Sequence, residues 1–395
     1  MAPPTITLAA MKKFTPFAIF WQFLGLGLMS FGGPIAHIGY FQKTFVERLR
    51  WLDQATFMQL TTLCQLLPGP ASSQLGFAIG LKHGGLGGAL AAFLGFTLPS
   101  FILMACLAIY APAEQPWVHT TLLGLKLAAV VVVADACWSL FIRFCDTPYR
   151  KGIAAVTTLA LLVFPAQFTQ ILLLAVAALA GEKPNWRALT QRAEGRRRPA
   201  VNWLFISFAL LLLAGPLLAL AGGLGRLWAG FYQSGSLVFG GGHVVLPLLQ
   251  QFVGDSLDND HFLLGYASVQ AVPGPMFTFA SFLGAELTPN QPWLGAVTAT
   301  IAIFTPGFLL VLATVKGWQS SWQQSALQPV FARVNAAVVG LLLAAFLQPV
   351  LVTGVTNGVD TTVAVVGLIL VRTVKLSVLW LLLGMVATAW LRSFL

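Results

Sequence analysis

The stretch Gln65-Leu66-Leu67-Pro68-Gly69-Pro70 decides the fold, because it occurs twice. It recurs as Gln270-Ala271-Val272-Pro273-Gly274-Pro275, 205 positions further along the chain. Proline cannot continue a helix and glycine permits backbone angles that other residues avoid, so each copy interrupts the apolar segment around it. A repeated interruption of this kind indicates a chain built from two related halves.

The same register continues outside this motif. Phe31-Gly32-Gly33 matches Phe239-Gly240-Gly241 at an offset of 208, and Lys126 matches Arg333 at an offset of 207. A nearly constant offset means that one unit has been duplicated. We therefore divide the chain into a first repeat at residues 1–181, a basic linker with a connecting transmembrane helix at residues 182–226, and a second repeat at residues 227–395.

The composition is that of a membrane protein. Apolar residues make up 57% of the chain and charged residues only 9%, against roughly 25% charged residues in soluble domains. Several charge-free stretches exceed the ~20 residues that cross a bilayer core. They are Phe14 to Gln42, Gln54 to Leu81, Gly152 to Gly181, Ala200 to Gly225 and Val334 to Val359.

The net charge of +10 does not indicate a nucleic-acid partner. Such a partner needs Lys and Arg clustered on a solvated face with aromatic residues or a recognition helix. Here the densest basic cluster is one connector between the halves, from Lys183 to Arg198. A basic connector beside apolar segments is typical of a cytoplasmic loop.

Equivalent connectors of the two halves carry opposite charge. The connector after the first glycine motif holds Lys43, Arg48 and Arg50, whereas its counterpart carries three Asp and no base. Because Lys and Arg are enriched in cytoplasmic loops, the contrast predicts that the halves lie upside down relative to each other, with a cytoplasmic N-terminus. The segment Val201 to Gly223 has no counterpart in the first half and would cross the membrane once, inverting the second half.

The first apolar segment, Phe14 to Gly33, lies between bases that favour the cytoplasm, Lys13 and Lys43. We expect it to enter the membrane and return, with Gly32 and Gly33 at its turn; a fully spanning first helix is the alternative. The predicted fold class is an all-α polytopic membrane protein whose two homologous halves form an inverted-topology repeat with broken or re-entrant helices.

The two Pro-Gly-Pro breaks are the strongest candidates for a substrate site. Inverted-repeat transporters place substrate near the midplane, between broken helices. The second proline suits the first position of a new helix, which leaves free amides at a positive helix end that can bind an anion. The alternative is that the prolines only kink helices that the glycines help to pack. The candidate residues are Gln65, Pro68, Gly69, Pro70, Ala71, Ser72 and Ser73, and Gln270, Pro273, Gly274, Pro275, Met276, Phe277 and Thr278.

The glycine motifs and two bases are further candidates. Lys126 and Arg333 lie several residues inside apolar segments, where an unpaired base costs at least ~2.5 kcal/mol. Facing one cavity they would suit a dianion, with Asn335 adding a polar contact; snorkelling to the lipid headgroups is the alternative. The clustered glycines would let backbone approach a ligand or a helix closely. These glycines are Gly32, Gly33, Gly240, Gly241 and Gly242.

Asp135 is the acidic residue placed deepest in an apolar segment, and it has no acidic counterpart in the second half. It is a candidate proton carrier, and a structural ion pair with a base on another helix is the alternative. His37 and His243 each follow a glycine motif, but no ligand spacing predicts a metal site. Cys64, Cys106, Cys137 and Cys145 show no CxxC spacing, and we expect no cofactor.

Together these motifs resemble the chromate ion transporter family in its long form, with two fused homologous domains. The resemblance covers the chain from Phe14 to Leu391. It rests on Phe31 to Gly39, Gln65 to Pro70, Phe239 to Pro247 and Gln270 to Thr278. It implies export of chromate across a bacterial inner membrane, giving chromate resistance, with sulfate as a competing anion.

The driving force, the rival functions and the oligomeric state each leave alternatives open. An interior-negative potential of 100 mV favours the exit of a dianion by ~4.6 kcal/mol. No nucleotide-binding GxxxxGK loop occurs, so uniport or exchange for protons stays open. Sulfate uptake, a channel, or an enzyme acting on lipid phosphates are the rival functions, although we find no catalytic grouping for the enzyme. A homodimer is also open, since helix faces look apolar whether they meet lipid or a partner.

Overall fold

The chain runs through two similar sets of helices joined by a short connecting pair. The computed structural model describes residues 13–110, 116–165, 167–181, 203–238, 245–315 and 328–394, and within them it contains helices and turns without strands. The first half comprises α1 (Pro16–Met29), α2 (Gly33–Phe41), α3 (Gln54–Leu66), α4 (Ala71–Tyr110), α5 (Pro116–Phe144), α6 (Pro148–Val163) and α7 (Gln167–Leu179). The connecting pair is α8 (Trp203–Leu213) and α9 (Gly215–Leu220). The second half comprises α10 (Gly223–Leu237), α11 (Val245–Val253), α12 (Asn259–Ala271), α13 (Phe279–Glu286), α14 (Pro292–Thr314), α15 (Gln328–Ala345), α16 (Gly358–Thr373) and α17 (Val378–Ser393).

Four helical stretches of the described chain are long and apolar enough to cross a membrane. They are Ala71–Tyr110, Leu123–Phe144, Pro292–Thr314 and Ala332–Gly354, two from each half. The remaining helices are shorter, and most of them follow one another in consecutive pairs, as expected of broken helices. These features confirm the predicted all-α polytopic membrane fold.

Both Pro-Gly-Pro motifs interrupt helices, as predicted. In the first half α3 ends at Leu66 and α4 begins at Ala71, with Gly69 at φ +121°. In the second half α12 ends at Ala271, and Gly274 lies at φ +112°. A side chain is strongly disfavoured at such positive φ angles, so the turn requires glycine.

The first apolar segment forms two short helices instead of one crossing. Helix α1 has 14 residues and is about 21 Å long, which is shorter than the ~30 Å hydrocarbon core. The chain leaves helical geometry at Gly32 and Gly33, both at positive φ, and continues as α2. This geometry fits the re-entrant interpretation. The matching motif, Gly240 to Gly242, lies outside the described residues.

Glycines bring the helix that precedes the glycine motif of each half against the long helix of the same half. Helix α1 packs along α4, and α10 packs along α14. A Cβ at Gly27 would lie 2.7 Å from the carbonyl oxygen of Phe96, and one at Gly235 would overlap the carbonyl oxygen of Ile303. These two contacts occupy equivalent repeat positions, so the duplication extends to backbone packing.

The last two helices of each half pack against the other half. Helix α15 of the second half lies on α6 and α7, and α5 of the first half lies on α16 and α17. The backbones touch where Gly124 meets Val386 and where Gly340 meets Ala154. The halves are therefore intertwined, and neither half packs as a separate unit.

One detail differs from the sequence prediction, and one long helix is kinked. The connecting segment, predicted as a single crossing from Val201 to Gly223, is interrupted before Pro216, because proline removes a helical hydrogen bond. Helix α4 is kinked where Gly84 and Gly85 leave helical geometry.

Candidate functional site

The two Pro-Gly-Pro turns are joined crosswise to the two glycine motifs. The amide of Gly69 donates a hydrogen bond to the carbonyl of Val238 over 2.8 Å, and the amide of Gly274 donates to the carbonyl of Ser30 over 2.9 Å. Val238 and Ser30 each directly precede a Phe-Gly-Gly motif. Each break is therefore held by the residue that precedes the glycine motif of the opposite half, and the two breaks meet in one region through Val238 and Ser30.

The same glycines also contact the long helix of the opposite half. A Cβ at Gly69 would lie 3.0 Å from Cα of Gly307, and a Cβ at Gly274 would lie 2.7 Å from Oγ of Ser100. Ser100 and Gly307 are equivalent in the repeat. The breaks are thus packed where the halves cross, and substitution would strain both backbone and neighbours.

The first-half break presents free amides at the start of α4. The first backbone hydrogen bond of this helix runs from the amide of Gln74 to the carbonyl of Pro70. The amides of Ala71, Ser72 and Ser73 therefore lie before the first helical hydrogen bond. The Oγ of Ser73 is buried and finds no hydrogen-bond partner among the described residues. These donors lie at the positive end of a long helix and suit an anion.

The second-half break is built differently. Met276–Thr278 form a 3-10 turn, in which the amide of Thr278 donates to the carbonyl of Pro275. The Thr278 hydroxyl donates to the same carbonyl over 2.7 Å. The prediction of a free Thr278 amide is therefore wrong, because the tighter turn consumes it. At this break only the amides of Met276 and Phe277 lie before the first hydrogen bond of the turn.

Gln74 is a site residue that the repeat comparison missed, because Phe279 stands at its counterpart position. Its Nε2 donates to the carbonyl of Pro68 over 2.9 Å and to that of Gly307 over 3.2 Å. It thus ties the first break to the second half. A glutamine one turn after Pro70, near the start of a long helix without acidic residues, was the available sequence signal.

The two predicted glutamines occupy different surroundings. The side chain of Gln65 is exposed and accepts a hydrogen bond from Arg143 over 3.4 Å, which directs it away from the break. Gln270 is half-buried, and its Nε2 has no hydrogen-bond partner among the described residues. Of the two, Gln270 is the one with a free donor for a ligand.

The two bases are engaged with the opposite half. Nζ of Lys126 lies 2.5 Å from Oδ1 of Asp260 at the start of α12. Arg333 is only 6% exposed, and it donates to the carbonyls of Ala177 (3.1 Å) and Ala178 (3.0 Å) at the end of α7. Arg333 therefore caps a helix and does not snorkel, and none of these contacts joins either base to a break.

The structure also defines the contacts of Asp135 and Asn335. Oδ1 of Asp135 lies 2.7 Å from Nε of Arg372 on α16, which is the ion pair expected of the structural alternative. Both side chains are one-third exposed. Oδ1 of Asn335 is buried without a hydrogen-bond partner among the described residues. The roles of both residues in transport stay predictions.

A buried histidine adds to the site. The ring of His37, on α2, is fully buried, with Nδ1 3.3 Å from Oγ of Ser72 and Nε2 3.2 Å from the carbonyl of Ser30. Sequence analysis assigned His37 no role, because no ligand spacing around it predicts a metal site. Among the described residues, no group of three or more His, Cys, Asp or Glu side chains could hold a metal ion.

Comparison with known proteins agrees with this architecture. The family model described as chromate transporter matches residues 17–182 and again residues 225–390. The chain is 29% identical to the chromate transport protein of Pseudomonas aeruginosa, over 82% of this chain and 78% of that protein. It is 26% identical to the chromate transport protein of Cupriavidus metallidurans, over 93% and 91%, and 28% identical to the probable chromate transport protein of Synechococcus elongatus, over 82% and 81%. No solved structure matches the chain. Because one family model matches both halves, the chain belongs to the chromate transporter family.

Proposed function

We propose that the protein exports chromate across the bacterial inner membrane and thereby confers chromate resistance, with the crossed breaks as its binding region. The observation that carries the proposal is the pair of reciprocal hydrogen bonds, Gly69 to Val238 and Gly274 to Ser30. They join each helix break to a residue of the opposite half, at the boundary between the halves. A substrate held there would contact both halves at once.

The chemistry around the breaks favours an anion. The free amides of Ala71, Ser72 and Ser73 are donors, and neither break carries an acidic residue in its motif or in the turn that follows. Lipid cannot supply partners for such amides, so unwound backbone at this depth is tolerated only inside protein or beside a cavity. A tetrahedral dianion matches several convergent donors at a positive helix end.

The side chains at the breaks are buried, so an anion reaches them only when the halves part. Ser72, Ser73, Met276 and Phe277 are each at most 5% exposed. An inverted arrangement of the halves, which we keep as part of the proposal, would let the same site open to either side by exchanging their conformations. Movement of one half about the crossed breaks would be the gating step.

The membrane potential can drive the proposed export. At 100 mV, interior negative, the exit of a dianion gains ~4.6 kcal/mol, which corresponds to roughly a thousandfold gradient. Exchange for protons remains compatible with this direction. Sulfate has the same shape and charge and is the expected competitor.

The test is chromate accumulation in cells that express the protein, with and without sulfate and an uncoupler. We expect lower accumulation than in empty cells, loss of the difference with uncoupler, and loss in the double variant Pro68→Ala/Pro273→Ala. Pro148→Ala, at the exposed start of α6, is the matched control and should keep export. Raised accumulation would instead indicate uptake, and unchanged accumulation would overturn chromate as the substrate.

A further inference from the structure

His37 lies where the two breaks meet. Its Nε2 contacts the carbonyl of Ser30, which also accepts the amide of Gly274 from the second-half break. Its Nδ1 contacts the hydroxyl of Ser72, at the amide end of the first-half break. The imidazole is therefore the one titratable group, among the described residues, with hydrogen bonds to both Ser72 and Ser30.

The hydrogen bonds fix the protons of the neutral ring. A carbonyl only accepts, so Nε2 must carry the hydrogen that it donates to Ser30. In the neutral ring Nδ1 then has a lone pair, and the Ser72 hydroxyl donates to it. The single Ser72 proton consequently points to the ring and is not available to a ligand at the start of α4.

The described surroundings of the ring are neutral. Its contacts come from Ser30 after α1, from Ser72, and from Phe96, whose ring meets the imidazole edge-on with centroids 5.3 Å apart. None of these partners is titratable in the physiological range. A positive charge on the ring therefore lacks a protein counter-ion among these contacts, and a bound anion would supply one.

We propose that His37 takes up one proton at Nδ1 when the oxyanion binds at the amide end of α4, so that proton and dianion move together. This inference rests on the proposed function. A protonated Nδ1 becomes a donor, and the Ser72 oxygen then accepts from it. The Ser72 proton turns away from the ring and is free to donate to the anion. The loaded site carries one negative charge more than the empty site instead of two.

Linkage makes the coupling reciprocal. If the anion raises the proton affinity of His37, then lowering the pH raises the anion affinity by the same factor. The membrane potential then acts on one net negative charge per transported anion, and the proton gradient also contributes to the free energy of transport. These consequences distinguish proton cotransport at His37 from simple exit of a dianion and from exchange for protons.

The experiment is calorimetric titration of the purified full chain with chromate at about pH 8, in buffers of different ionisation enthalpy. The variation of the measured heat with buffer gives the number of protons taken up per anion. We expect about one proton in the wild type and none in His37→Gln. Glutamine can donate its amide to Ser30 and accept from Ser72, so anion binding itself should persist within about tenfold.

Two comparisons complete the design. Asp135→Asn should keep the uptake of one proton, and Ser72→Ala should keep it with weaker anion binding. Wild-type binding without proton uptake, or full proton uptake in His37→Gln, would overturn the inference and leave the proposed function intact. A wild-type protein that binds no oxyanion would overturn both.

Discussion

Alanine at the two break glycines should lower stability and transport unequally, with Gly69→Ala the more harmful. Both residues have φ angles above +110°, where a side chain costs roughly 1–3 kcal/mol. At position 69 the new Cβ would also lie 3.0 Å from the Cα of Gly307, and backbone of the opposite half cannot rotate away. Overpacking of this kind adds roughly 1–3 kcal/mol, so the two costs together amount to about 2–6 kcal/mol.

At position 274 the new Cβ would meet a movable group. Oγ of Ser100 lies 2.7 Å away and can rotate, although it gives up its hydrogen bond to the carbonyl of Thr97. We expect about 2–3 kcal/mol for Gly274→Ala. Gly152→Ala is the matched control, because nothing lies within 4 Å of its Cβ and alanine favours the helix.

The assay is thermal unfolding of the purified variants in one detergent, beside chromate flux into inverted vesicles. The expected order of stability is Gly152→Ala at or above wild type, then Gly274→Ala, then Gly69→Ala. Flux should fall in the same order, because the turns hold the breaks in place. If both break variants unfold and transport like the control, the crossed packing at the boundary is not what holds the site.

Three further predictions concern the charged residues. Arg333→Gln should destabilise the protein by about 2–4 kcal/mol in thermal unfolding, because the buried charge-assisted hydrogen bonds to the carbonyls of Ala177 and Ala178 are lost. Unchanged unfolding would show that these hydrogen bonds at the end of α7 do not stabilise the protein. Lys126→Asp should reduce flux, because two carboxylates then face each other, and the double variant Lys126→Asp/Asp260→Lys should restore it; failure of the rescue would separate the pair from its function. Asp135→Asn should leave the pH dependence of flux unchanged, and loss of that dependence would assign the proton to Asp135.

Local chemistry made the breaks and the short helices predictable. Pro68 and Pro273 cannot donate helical hydrogen bonds whatever surrounds them, so the interruption follows from the sequence alone. The same holds for the break near Pro165, where α6 ends at Val163 and α7 begins at Gln167. The break of the first segment at Gly32 and Gly33 was predictable because adjacent glycines permit positive φ angles.

Partners across the boundary could not be predicted in the same way. The depth of Lys126 and Arg333 in apolar segments showed that each base needs a polar partner, but many groups could serve as that partner. In the structure the partner of Lys126 is Asp260, and the partner of Arg333 is the end of α7. The exchange of terminal helices between halves explains the choice, since it brings α7 against α15. Nothing in the repeat pattern distinguishes helices that pack within their own half from helices that pack on the other.

The two breaks differ in their polar groups although their sequences are related by duplication, and this difference affects how many anions the protein can bind. At the first break, Ser72, Ser73 and the imidazole of His37 surround free amides, whereas the second break presents Met276 and Phe277 and uses its threonine hydroxyl within its own turn. Two equal breaks would predict two equal anion sites. A first break with many polar groups and a second break with few, linked through the carbonyls of Ser30 and Val238, predict a single site in which the first half binds charge and the second half closes over it.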